Sequence, residues 1–302
     1  MSEHYPRIRI RAQNGALLLR EGLSLCFYIR HPHSSVGPMV RRALEIYQRA
    51  IKPDELTLYP LDDDWETLDE KAWENIRQKL LASRVALVRL SDRPGSDKDY
   101  HFYYYGRPVG DPSESAFPGT VCALECWLPT EFLEQHGPER VRALALEMAE
   151  QLPFCSGHVG LAFNGELDLV GVPEEIRRYC FRYPGLDIVH LGRLVSHLGT
   201  RVRGPHWMTF LGQPVLSALG GAPTLRARLT SPGTTVQELN SERAVITLGE
   251  WPEAGDTDRG LALPAYRELA RILEPWTYFE EHITGNESFL ENRRRWERRF
   301  LD

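Results

Sequence analysis

No apolar run in the 302-residue chain approaches the roughly 18–20 residues that a bilayer-spanning helix needs, so no membrane segment is expected. The opening MSEHYPRIRIRAQNG has charge but no apolar h-region and no small-residue cleavage site, which excludes a recognisable secretory signal. Cysteine is sparse: Cys26, Cys122, Cys126, Cys155 and Cys180 are an odd set with irregular spacing. Without an export signal they read as reduced, mostly buried thiols of a cytoplasmic protein. Cys122 and Cys126, four apart in TVCALECWLP, fall on one face of a strand and read as core rather than as a metal pair. A net charge of −6 with no broad basic patch argues against binding nucleic acid through its phosphates. Low-complexity segments and repeats at a fixed period are also missing. So are a Gly-Lys-Ser/Thr phosphate loop, a Gly-x-Gly-x-x-Gly turn after a strand and a Gly-x-Ser-x-Gly elbow.

What is present describes a cored globular protein. The chain is 42% hydrophobic and 10% aromatic, and its length suits one large domain or two ordinary ones. GLSLCFYIR (22–30) reads as a strand, followed by a turn at His31-Pro32-His33-Ser34-Ser35. From Pro38 the period becomes helical through Val40, Leu44, Tyr47 and Ile51. A second helix carries Trp73, Ile76 and Leu80 or Leu81. VALVRLS (85–91) reads as a buried strand, YHFYYYG (100–106) as an aromatic core strand, and GTVCALECWLP (119–129) as the next. Pro138 opens a helix, and HVGLAFN (158–164) closes this half. A helix is predicted over 173–183, then a strand at 207–212, short helices at 214–219 and 224–229, a strand pair around Ser241-Glu242, and a helix from Pro264 that Pro275 ends.

The short links between successive strands predict α+β architecture, with a mostly antiparallel sheet flanked by helices, rather than a doubly wound parallel one. The expected organisation is an extension over 1–19, a first α+β half over 20–170, a connecting helix and loop over 171–200, a smaller second half over 201–280, and a charged C-terminal helix over 281–302.

The acidity of the chain is local. Between Asp54 and Glu74 stand nine acidic residues and one basic residue, a net −8 against −6 for the whole chain. Asp62, Asp63 and Asp64 are adjacent, so their side chains diverge, and the stretch has no glycine and no alternating calcium-loop spacing. A metal cage is therefore not expected here. Two readings remain: a solvated acidic run that starts a helix, where carboxylates are favourable, or a protein-binding face with Trp65 or Trp73 as anchor.

Other candidates have simpler readings. His31-Pro32-His33 has no obvious third ligand and reads as a turn. Cys155-Ser156-Gly157-His158 offers a nucleophile and a base, but near neighbours in sequence rarely orient one on the other. LGEWPEAGD (248–256) is not a phosphate loop. The tail with Arg293, Arg294, Arg295, Arg298 and Arg299 around Trp296 reads as a solvated helix that could touch an acidic partner or a second subunit. A homodimer is compatible with this. No catalytic spacing emerges, although a site assembled from scattered residues would leave no such mark.

The second half carries a long ordered motif string. RGPHWMTFLGQPVLSALGGAPTLRARL (203–229), AVITLGEWPEAGD (244–256) and LPAYRELARILEPW (263–276) together resemble the type VI secretion immunity family of TsiV-like proteins, with looser agreement across roughly 20–280. The resemblance implies a bacterial cytoplasmic protein that binds a cognate toxic effector, often a restriction-endonuclease-like nuclease, and blocks it. It implies no catalytic residues and no cofactor. The motif residues themselves read as structural: Gly220-Gly221 stop a helix, Pro252 and Gly255 shape a turn, and Tyr266, Leu269, Ile272 and Leu273 form an apolar helix face. Because a nuclease cleft must attract phosphate, clustered carboxylates could imitate that track. The expected partner-binding residues are therefore Asp62, Asp63, Asp64, Trp65, Glu66, Asp69 and Glu70. An enzyme with a dispersed site and an adaptor without a toxin remain the competing classes.

Overall fold

A computed structural model describes residues 3–62, 64–92, 99–112, 117–280 and 287–302, with the side chain of residue 288 excepted. Its elements are β1 (Arg9–Arg11), β2 (Leu17–Ile29), α1 (His33–Ile51), β3 (Leu58–Leu61), β4 (Asp64–Thr67), α2 (Glu70–Ala82), β5 (Ala86–Ser91), β6 (His101–Gly106), β7 (Cys122–Pro129), α3 (Thr130–His136), α4 (Pro138–Gln151), β8 (Ser156–Gly165), α5 (Val172–Cys180), α6 (Leu191–His197), β9 (Met208–Leu211), α7 (Val215–Ala218), α8 (Gly221–Arg228), β10 (Thr234–Asn240), β11 (Arg243–Leu248), α9 (Pro264–Leu273) and α10 (Glu287–Glu297).

The strands form one 11-stranded antiparallel sheet in the order β10-β11-β9-β8-β2-β7-β6-β5-β3-β4, with β1 pairing to β2 off this path. The α+β expectation holds. The long central β2 is buried on both faces because alternate residues serve different layers. Leu23, Leu25, Phe27 and Ile29 pack with α1, α2 and α4 on the first face. Cys26 and Tyr28 point to the second face, where Leu191, Leu194 and Val195 of α6 cover them. Leu211 of β9 and Ala244 and Ile246 of β11 join α7, α8 and α9 in a further apolar cluster. Tyr266, Leu269, Ile272 and Leu273 form the buried face of α9, as their spacing predicted. Gly220 and Gly221 both have positive φ and join α7 to α8, which explains the stop at that pair.

Several elements differ from expectation. α1 begins at His33, five residues before Pro38, which lies inside it on the exposed side. The ring of His33 is buried and fixes this start: Nδ1 is 2.9 Å from the Tyr104 hydroxyl and Nε2 is 2.9 Å from the Lys79 carbonyl. Those two contacts place the ring in the packing between α1, α2 and β6 rather than in a turn. Close contact continues at Gly37, where a Cβ would lie 1.8 Å from the Leu80 carbonyl oxygen. The acidic run does not simply lead into a helix. It first forms the β3–β4 hairpin, and α2 begins only at Glu70. Pro60 can sit in β3 because β5 pairs with that strand only at Leu58, so its missing N–H breaks no ladder on that side. β1, α3 and α6 are three to seven residues long, too short to show a period.

The two ends of the sheet are finished differently. At one end, Arg226 of α8 donates from Nε to the Val236 carbonyl of β10 and reaches Glu238 with its other nitrogen. At the other end, the four-residue β4 carries Asp64 and Glu66.

Candidate protein-binding surface

The β3–β4 hairpin presents the predicted acidic residues. Leu61 pairs with Asp64, which leaves a two-residue loop at 62–63. Asp62 has φ 47 there, in the left-handed region that such loops require and that Asp tolerates better than most residues. Asp63 lies outside the described residues. The side chains of Asp62, Asp64, Glu66 and Glu70 are exposed, and none makes an ion pair or side-chain hydrogen bond within the described residues. Asp69 has a structural task instead: its carboxylate accepts from the Ala72 N–H at 2.7 Å and caps α2.

The strand period divides the predicted set. Asp64 and Glu66 share one side of β4, while Trp65 turns to the other. There the Arg89 guanidinium lies 5.0 Å from the Trp65 ring centre and 5.5 Å from that of Tyr103. The hydroxyls of Tyr103 and Tyr105 are 2.9 Å apart, and Arg107 lies over Tyr105 at 5.9 Å. Trp65, Arg89, Tyr103, Tyr105 and Arg107 thus form a continuous row of aromatic and cationic groups on the second face of the sheet, with the two tyrosines adjacent. Glu166 pairs with Arg89 at 2.8 Å. The cation on β5 is thereby balanced, whereas the hairpin carboxylates are not.

β5 and β6 were expected to be buried strands, and four of the six residues in each are buried. Val88, Leu90, Phe102 and Tyr104 enter the first-face core. Leu87 of β5, which pairs with Tyr105, is 54% exposed. Reading VALVRLS as a continuous apolar run concealed its alternation, since Leu87 looks like core by residue type alone. Arg89 and the odd-numbered tyrosines were the available signal.

Deeper on the second face, polar groups are locked together. Asp187 lies 3.0 Å from His206 Nε2, 3.2 Å from Arg299 and 3.5 Å from Arg203. Burial would push its carboxyl up, but Arg203, His206 and Arg299 hold it well below the usual range. His158 stacks on His206 with ring centres 3.9 Å apart and planes 18° apart. The ligand atoms of His158, Asp187 and His206 lie within 4.8 Å of one another. Stacked, near-parallel rings keep their in-plane lone pairs in separate, nearly parallel planes, a poor arrangement for converging on one ion. Two arginines also already occupy the carboxylate. The trio therefore suits an ion-paired lock better than a dication. Burial, followed by the neighbouring His206, keeps the His158 ring neutral by lowering its pKa well below the ordinary value.

Nearby, Ser24 donates to Glu125 at 2.7 Å, and burial raises the Glu125 pKa to about 7 against the pull of Ser24 and Trp127. Cys155 does not engage His158. Its thiol contacts the carbonyls of Tyr28 and Gly199, and burial pushes its pKa up to about 11. The arginine-rich tail is turned inward in part: Arg293 pairs with Glu280 and Glu297, and Arg299 reaches Asp187, while Arg294 and Arg295 are exposed. The LGEWPEAGD segment borders a cleft of about 1080 Å³ in which Arg182 is paired with Asp256 and Asp258.

These features define a protein whose unspent chemistry among the described residues is a surface: free carboxylates on a hairpin, next to a half-buried row of aromatic and arginine side chains. The chain belongs to the TsiV family, type VI immunity for VRR-NUC, whose profile matches residues 39–300. It is also similar in structure to the Pseudomonas aeruginosa T6SS protein PA0821, with a TM-score of 0.80 at 18% identity over 97% of this chain and 87% of that one. At that identity the likeness establishes the fold. Comparison with curated proteins gives no significant match.

Proposed function

We propose that this chain binds a cognate VRR-NUC nuclease effector in the cytoplasm and blocks it by covering its nucleic-acid-binding cleft, without catalysis of its own. The observation that carries this reading is the family match over residues 39–300. The uncompensated carboxylates of Asp62, Asp64, Glu66 and Glu70 support it. A cleft built to hold phosphates is basic, and a cluster of exposed carboxylates steers such a surface into contact. Asp63 joins the set by its place in sequence. Asp69 contributes charge while capping α2, and Trp65 anchors from the other side of the strand.

The test is co-expression of a VRR-NUC domain encoded beside this chain, scored for growth, together with titration of the catalytically inactivated domain. The wild-type chain is expected to restore growth and to bind. Replacing Asp62, Asp63 and Asp64 with Ala is expected to weaken binding at least about tenfold and to flatten its salt dependence. A wild-type chain that neither protects nor binds overturns the immunity reading. Full binding by the triple variant removes only the acidic surface from it.

A further inference from the structure

The sheet ends at β4, and the outer edge of that strand carries unused backbone groups. Pro60 has no N–H, so its pair with Trp65 cannot be one of those that exchange both ladder bonds. Alternation along the hairpin then makes Leu61–Asp64 and Tyr59–Glu66 the bonded pairs, and Leu58–Thr67 a second non-bonded one. The backbone N–H and C=O of Trp65 and the N–H of Thr67 therefore point away from β3. Among the described residues no group bonds to these three, whereas the Thr67 carbonyl accepts from the Asp69 N–H at 3.0 Å. The other end of the sheet differs, because Arg226 occupies the Val236 carbonyl there.

The side chains of β4 select what can pair with it. Asp64 and Glu66 stand on one side, exposed and without an ion pair among the described residues. Trp65 stands on the other, with Arg89 at 5.0 Å already balanced by Glu166. A strand laid antiparallel along this edge sets each side chain opposite one of β4, on the same side. Two of its residues, two positions apart, face Asp64 and Glu66, and the residue between them faces Trp65. Lys or Arg satisfies the two carboxylates, and an apolar residue covers the indole. A second copy of β4 does not fit: with Trp65 opposite Trp65, Asp64 would meet Glu66, and like charges directly opposite repel.

We infer that an antiparallel strand of basic–apolar–basic pattern, from the rim of the VRR-NUC cleft, adds to the 11-stranded sheet at β4. This rests on the immunity reading and specifies how the two chains join. Main-chain bonds to Trp65 and Thr67 hold the added strand, and the two carboxylates fix its register.

The experiment uses the full chain and the catalytically inactivated VRR-NUC domain encoded beside it. Residue-resolved hydrogen exchange should show the Trp65 and Thr67 amides exchanging fast in the free chain and at least about tenfold slower in the complex. The Asp64 and Glu66 amides, bonded to β3 in the free chain, are expected to change less. Thr67→Pro removes an outward N–H where an edge strand tolerates proline, and is expected to raise Kd at least about tenfold. Unchanged exchange at Trp65 and Thr67 in a formed complex, a result that does not depend on any variant folding, overturns the inference and leaves the immunity reading intact. A folded Thr67→Pro chain that binds within about twofold of wild type does the same. Protection of the two amides in the free chain as its concentration rises makes the occupant a second copy, and also overturns it. Failure of the wild-type chain to bind overturns both readings.

Discussion

At the scale of single residues, burial and charge decide what each polar group can do. Glu125 lies at the centre of the second face and accepts from Ser24, and its pKa of about 7 stands above the 4.5 of an unperturbed Glu. Between those values the folded chain keeps a proton that the unfolded chain has released. The contribution of this group is therefore complete below the unfolded value and is lost as pH rises through the folded one. The total is about 3 kcal/mol. Urea unfolding at about pH 5 and about pH 8 should show this fall in the wild type, and Glu125→Gln, which retains an acceptor for Ser24, should largely remove it. Asp187 is the opposite case: it is deeply buried yet kept ionised by Arg203 and Arg299. No sequence motif marks either group. Asp187 meets partners from 16 to 112 positions away, and such a constellation exists only once the sheet has formed.

At the scale of elements, the hairpin and α2 show how one acidic stretch serves two purposes. Asp69 caps a helix, whereas Glu66 stands on an edge strand with no ion pair among the described residues. Asp69→Ala should cost about 1 kcal/mol of stability, while Glu66→Ala should leave thermal unfolding unchanged. Thermal melts of the two variants, set beside their binding curves, separate scaffold from contact. The same stretch shows what was legible. The helical stripe of α9 and the core face of β7 repeat often enough to declare themselves. β3 and β4 have four residues each, so a run of carboxylates obscured a strand whose register is set by Leu58 and Ser91 across the sheet. Of the candidate surface, the acidic side and Trp65 could be read from the sequence. Leu87, Tyr103 and Tyr105 could not, because exposure of one strand face depends on which neighbours stop short of it.

At the scale of the whole molecule, β2 joins everything. It pairs with β7 toward the hairpin and with β8 toward β9, β11 and β10. No strand break separates the first half from the second, so scanning calorimetry should show one cooperative transition rather than two. The family match spans the same continuous sheet, from residue 39 to residue 300. The unequal finish of its two ends has a further consequence. Copies that join edge to edge can grow into a filament only if each has two compatible free edges. Arg226 occupies the Val236 carbonyl at the β10 end. A strand from another copy that approached β10 would find this carbonyl already taken, whereas β4 has no such guard among the described residues.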